Sequence, residues 1–204
     1  MNQSYWQKTS KKRIGKTLHD DLTVDVVIIG GGLSGVGLAY QLKDSGKQVV
    51  VLDKDEMGSH TSGHTTAKIS TLHDTLYVDL VKHYDVHQAY LYYKSNERAL
   101  NEIKTIIQKE KIDCDFQENN AYIYTDDPGY VKIIQAEREI LQSLRVETLK
   151  DENHLESLGL KHQAIFHPLK YLYSLIQICE KCRGDFFMNI VKSHMLKEKM
   201  ILLY

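Results

Sequence analysis

A continuous β-branched run, Val26, Val27, Ile28 and Ile29, leads straight into Gly30, Gly31 and Gly32, and Gly35 follows soon after. Few folds accept that order. Apolar residues in unbroken succession read as a short strand buried on both faces, and the glycines behind it predict a turn that opens a helix. In such a turn Gly30 allows a tight reversal, Gly32 lets the backbone approach a pyrophosphate, and Gly35 lets the helix lie close to the strand. The first amide N–H groups of the helix lack intrahelical partners and sit at its positive end, which suits an anion. A glycine-rich turn in an unrelated α/β domain looks the same locally, so the following residues have to supply the remainder of a dinucleotide site.

The helix predicted after the glycines carries Leu33, Val36, Leu38, Ala39 and Leu42 on its apolar side and stops at Gly46, a residue suited to the left-handed backbone with which helices often end. A second strand over 48–52 then ends at Asp53. Strand, glycine turn, helix and strand fit within about thirty residues, the size of a βαβ unit. A carboxylate at the position of Asp53 accepts hydrogen bonds from adenosine ribose hydroxyls and disfavours a 2′-phosphate. A solvated acid beside Lys54 and Asp55 is the plainer alternative, but the place at the strand end favours the ribose. Residues 54–70 are rich in small and hydroxyl side chains, from Gly58 and Ser59 to Thr65 and Thr66. Their place directly after the second strand predicts a ligand-contacting loop rather than a linker.

At 204 residues, with 42% hydrophobic and 26% charged, the chain can bury a sizeable core and falls outside the disordered and membrane classes. Lys plus Arg at 26 against Asp plus Glu at 27 leave no bulk field to attract nucleic acid or an anionic membrane, so a small-molecule substrate is the expected partner. The cysteines Cys114, Cys179 and Cys182 are too few for a disulfide framework and suit a reducing compartment. With no signal-peptide core and no apolar run long enough to span a bilayer, the expected location is the cytoplasm. Oligomeric state leaves no mark on the sequence.

The expected class is α/β, a Rossmann-like core interrupted by a mainly helical insertion with a few strands. Residues 1–23 predict an extended arm, and 24–73 hold the βαβ unit and its loop. Within 74–167 the pattern predicts two helices broken near Asp85, a strand over 121–125, a turn at 126–129 and a helix over 130–144. A short strand over 146–149, a helical turn over 151–158 stopping at Gly159, and an extended piece over 164–167 follow. Residues 168–204 predict a helix from Pro168 to about Lys181, one candidate strand near 186–191, and a polar tail. The C-x-x-C of Cys179 and Cys182 has no second pair, and His60 with His64, like His83 with His87, lacks a third ligand. Packed thiols and surface histidines are expected there, with no metal site.

The run DVVIIGGGLSG, the strand VVVLDKD and the loop GSHTSGHTTAKIS together resemble the FAD-dependent amino-acid-oxidase-like oxidoreductases, the group related to glycine oxidase and D-amino-acid dehydrogenase. HTTAK, LYYKSNERAL, IDCDF followed by AYIYT, and FHPLKYLYSL are most similar to bacterial members that carry a C-terminal Rieske iron–sulfur domain. The resemblance runs from about Tyr5 to Lys181. It implies an FAD-binding core and oxidation of a small amine or amino-acid-like substrate by hydride transfer to the flavin. It implies that Gly30, Gly32, Leu33, Ser34 and Gly35 hold the pyrophosphate and that Asp53 with Lys54 meets the adenosine end. Thr61, Ser62, Thr65, Thr66 and Ala67 would bring hydroxyl and backbone donors to the phosphates and toward the flavin. Asp53 stands where such flavoproteins more often carry Glu, a shorter reach with the same chemistry. Family members continue well beyond this length, so the substrate domain is expected to be incomplete and no catalytic residue carries over. Without cysteine and histidine pairs of Rieske spacing, no iron–sulfur cluster is expected in this chain. Two other readings stay open: a truncated, catalytically inactive fragment that at most binds FAD, and an NAD-binding module.

Overall fold

The computed structural model describes residues 3–11, 16–183 and 187–190, and these fall into two compact units. One takes the described residues up to Thr66 and from His167 onward, and the other is the continuous stretch Ala67–Phe166.

The first unit begins with a turn of helix, α1 (Tyr5–Thr9), where an extended arm is expected. The Ser4 hydroxyl accepts from the Gln7 N–H at 3.2 Å while the Gln7 side chain accepts from the Ser4 N–H at 3.0 Å, a capping box that satisfies two otherwise open donors. After strand β1 (Lys16–Leu18), strands β2 (Val26–Ile29) and β3 (Val49–Asp53) run parallel with Val26 opposite Val49 and Ile29 opposite Leu52. Helix α2 (Leu33–Leu42) connects them. Val49, Val50, Val51 and Leu52 are all buried, and each such side chain withdrawn from water stabilises the fold by about 1.5–3 kcal/mol. Helix α2 ends at Leu42, short of the stop expected at Gly46, and Gly46, with a φ of 78°, instead supplies a left-handed residue in the turn to β3.

The second unit opens on the short strand β4 (Lys68–Ile69) and continues with helices α3 (Leu76–His83) and α4 (Val86–Glu110). The break expected near Asp85 is present because the Asp85 carboxylate accepts from the Gln88 N–H at 2.7 Å and caps α4. Strand β5 (Gln117–Thr125), helix α5 (Pro128–Ser143) and strand β6 (Glu156–Ile165) complete it. Strands β4, β6 and β5 form an antiparallel sheet with β6 in the middle. Tyr77 is buried in the core beside Leu141 and Leu158, and its hydroxyl donates to the Thr71 carbonyl at 2.6 Å. Tyr84 is 71% exposed, so the tyrosine-rich helices divide between core and rim.

Strand β6 departs from the sequence reading. The helical turn expected over 151–158 and the extended piece over 164–167 give way to one ten-residue strand. The short strand expected over 146–149 is reduced to a single bridge between Leu149 and Gly159. Gly159 resembles a helix stop but occupies a strand position opposite Tyr122. The Tyr122 ring lies across it, leaving no room for a Cβ, as aromatic side chains often cover strand glycines.

The chain then returns to the first unit. Helix α6 (Pro168–Arg183) packs against α2, and strand β7 (Phe187–Ile190) lies between β3 and β1, parallel to both. The sheet order is β1-β7-β3-β2, the expected α/β architecture, and the candidate strand near 186–191 is present. The polar tail expected beyond it lies outside the described residues.

Cys179 and Cys114 are buried and Cys182 is exposed. Burial pushes the Cys179 thiol up to about 12, and a thiol held so far above its ordinary value is a poor nucleophile. In the native protein near pH 8, a thiol reagent is expected to modify Cys182 quickly and the other two only after unfolding. Rapid native modification of Cys179, located by peptide mass, would contradict this packing.

Candidate functional site

Strand β2 ends at Ile29 and the chain turns at Gly30, whose φ of 104° is unfavourable for any residue with a side chain. The Gly30 N–H donates to the Leu52 carbonyl at 2.8 Å and pins the turn to β3. Gly32 caps α2 without offering a side chain to its open amides. The Leu33 N–H instead donates to the Ser62 hydroxyl at 2.9 Å. Gly35 faces the turn so closely that a Cβ there would overlap the Gly30 carbonyl oxygen, the close helix–strand approach that the glycine spacing predicts.

Asp53, at the end of β3, ties these parts together. Its Oδ2 accepts from the Gly31 N–H at 2.6 Å and its Oδ1 from the Asp55 N–H at 2.9 Å. It is therefore no freely solvated acid, and each carboxylate oxygen keeps a lone pair for a further donor. Gly31 has a role that sequence reasoning missed: a Cβ there would overlap the Met57 sulfur.

Ile29, Gly30, Gly32, Leu52, Asp53, Lys54 and loop residues 58–62 line a cleft of about 400 Å³, within the ~300–1,000 Å³ of small-molecule sites. Of the residues singled out in the sequence, Gly30, Gly32, Asp53, Lys54, Thr61 and Ser62 come together on it. Leu33, Ser34 and Gly35 form the first turn of α2, with Ser34 exposed. Thr65 does not line the cleft, and its carbonyl accepts from the Trp6 Nε1–H at 2.8 Å. Thr66 is exposed. Ala67 belongs to the second unit, with a φ of 61° and its carbonyl accepting from the Phe166 N–H at 3.3 Å.

Gly58, Ser59 and His60 also line the cleft, and only the composition of their loop pointed to them. The Ser59 hydroxyl is buried with no hydrogen-bond partner. Buried hydroxyls are nearly always satisfied, and an exception beside a cleft fits a site built for a polar ligand. Glycine spacing, open helix N–H groups, an acid at the strand end and a hydroxyl-rich loop all fit the phosphates and ribose of a dinucleotide.

These features are those of an α/β fold of the dinucleotide-binding kind. Comparison narrows the class: residues 25–198 match the model of the DAO family of FAD dependent oxidoreductases, and the chain belongs to that family. It is 36% identical over 186 residues to YhfW of Bacillus subtilis, which carries the name of a Rieske 2Fe-2S iron-sulfur protein, across 88% of this chain and 36% of that one. Among solved structures it is similar to the L-amino acid deaminase of Proteus myxofaciens, with a TM-score of 0.65 at 15% identity over 88% of this chain and 41% of that chain. It is also similar to the glycine oxidase of Bacillus cereus, with a TM-score of 0.58 at 13% identity over 82% of this chain and 46% of that chain. Both likenesses concern the fold. The chain spans less than half the length of each of these relatives. Among the described residues no helix is long and apolar enough to cross a membrane, and no three His, Cys, Asp or Glu side chains come together as metal ligands.

Proposed function

We propose that the cleft beside the glycine turn holds the adenosine diphosphate end of FAD, and that the chain serves oxidation of a small amine or amino-acid-like substrate by hydride transfer. The observation that carries this reading is the meeting, in one cleft, of the glycine-capped start of α2, the Asp53 carboxylate and the loop hydroxyls of Thr61 and Ser62. FAD, when bound, supplies the electron acceptor. The chain's own residues bind and orient it. Gly30, Gly32 and the first-turn backbone of Leu33, Ser34 and Gly35 receive the pyrophosphate. Asp53 takes the ribose hydroxyls with its spare lone pairs, beside Lys54. The Ser62 hydroxyl accepts from Leu33 and keeps its own proton to donate to a phosphate oxygen. Thr65, Thr66 and Ala67 are assigned to the flavin side by family resemblance alone. The names of the solved relatives, an amino acid deaminase and a glycine oxidase, support the substrate class.

The purified chain is expected to gain thermal stability on addition of FAD, by about 2.7 kcal/mol at a hundredfold excess over Kd. At Gly32 a Cβ would stand 2.9 Å from the Ser62 hydroxyl oxygen, so Gly32→Val fills the space a phosphate needs and is expected to weaken FAD binding at least ~100-fold, roughly 2.7 kcal/mol. Unchanged affinity in that variant refutes the cradle. A colourless protein with no thermal response to FAD refutes the cofactor, and tighter binding of NAD than of FAD transfers the site to an NAD module.

A further inference from the structure

We propose that helix α1 is a positioning element for the cofactor loop, with Trp6 and Gln7 setting residues 59–65 against the glycine turn. The proposal rests on the FAD reading of the cleft.

Side chains from one helical turn reach the backbone of a loop more than fifty residues away. Gln7 Nε2 donates to the Ser59 carbonyl at 3.0 Å, the Ser4 hydroxyl donates to the Gly63 carbonyl, and Trp6 Nε1 donates to the Thr65 carbonyl at 2.8 Å. Ser62, whose hydroxyl meets the first open amide of α2, lies between the carbonyls so held. The packing is close: a Cβ on Gly63 would stand 2.5 Å from the Gly58 carbonyl oxygen and 3.2 Å from Gln7 Nε2.

The helix is itself fastened at its other end. The Lys170 N–H donates to His167 Nδ1 at 3.2 Å, which leaves the Nε2–H to donate to the Thr9 hydroxyl at 2.9 Å, and Thr9 passes its own proton to the Tyr5 carbonyl at 2.7 Å. The Trp6 ring meets the His167 ring edge-on, with centroids 5.0 Å apart. No residue of α1 lines the cleft, so the helix acts on a ligand only through the loop.

Two variants of the full chain separate positioning from stability. Gln7→Glu keeps an oxygen for the Ser4 N–H, and with it the helix cap, but has no proton for the Ser59 carbonyl. Trp6→Phe keeps a six-membered ring against His167 and loses the pyrrole part of the indole with its N–H. Each is expected to weaken FAD binding about 3- to 10-fold and to speed hydrogen exchange at the Leu33 amide in the cofactor-free protein, with Cys179 still protected from thiol reagents. If the parent chain binds FAD and both variants bind it equally well, the positioning role is overturned while the cofactor reading stands. If affinity falls only together with exposure of Cys179, the helix merely stabilises the unit and the proposal is also overturned. If the parent chain takes no FAD, the cofactor reading itself has failed.

Discussion

Gly35→Ala is expected to lower the stability of the first unit by about 1–3 kcal/mol and to abolish measurable FAD binding, although it adds a single methyl group to a helix. The methyl would overlap the Gly30 carbonyl oxygen and stand 3.2 Å from the Ile28 Cγ2. One obstacle is backbone, and neither can move independently. The Gly30 N–H is bonded to Leu52 and the Gly31 N–H to Asp53, so relief requires α2 to lift from β2 and carry its open amides out of register with the cleft. Gly37, two residues further on, makes the control. A Cβ there meets nothing within 4 Å, and Gly37→Ala is expected to stabilise the same helix by about 0.5–1 kcal/mol. Denaturant unfolding together with FAD titration reads both effects, and equal behaviour of the two variants would show that the close approach at Gly35 is not real.

The second large effect lies in the second unit, at Glu137. Its side chain is 0% exposed, with Oε1 accepting from the Tyr77 N–H at 2.9 Å and Oε2 from the Val78 N–H at 2.8 Å, in the first turn of α3. Burial pushes the carboxyl pKa up, and the bonds from the Tyr77 and Val78 amides oppose that without cancelling it. Glu137→Ala removes both acceptors at once. Leaving one buried and one half-buried donor unsatisfied costs about 1–3 kcal/mol each, so a loss of about 2–6 kcal/mol is expected, a large part of the ~5–15 kcal/mol that holds a typical domain. Glu137→Gln retains one acceptor and should fall between. Glu139 is exposed two residues away on the same helix, and its alanine variant is expected to stay within about 0.5 kcal/mol of the parent. A Glu137→Ala protein melting like the Glu139 variant would mean that the α3 amides have other partners.

The site and its surroundings differ in how far the sequence reveals them. The turn from Ile29 to Gly35, the helix behind it and Asp53 are legible because strand, turn and helix are near neighbours and each residue type answers to a local steric need. Asp85 is legible for the same reason. What escapes sequence reasoning depends on distant partners. Nothing around Trp6 or Gln7 announces bonds to Thr65 and Ser59, and nothing around Gly31 announces Met57. Gly159 misleads more actively, since a glycine after an apolar residue is the ordinary mark of a helix end. Here the residue is glycine because Tyr122 on the neighbouring strand occupies the space, a reason visible only once the strands are paired.

The order in which the units occur along the chain has a consequence for synthesis. The second unit is continuous, whereas the first is assembled from segments on either side of it. A chain leaving the ribosome presents the whole of residues 67–166 before His167 emerges, and compact units generally fold as they become complete. Every described residue that lines the cleft precedes residue 63, and α1 reaches the loop from the early end of the chain, yet a second set of supports comes last. Leu169 approaches the Gly58 backbone, the Tyr173 hydroxyl donates to the Met57 carbonyl at 3.3 Å, and β7 joins β3 to β1. The first unit, begun early, is thus completed late, and a nascent chain halted before α6 should carry a folded second unit while the cleft of the first still lacks α6 and β7.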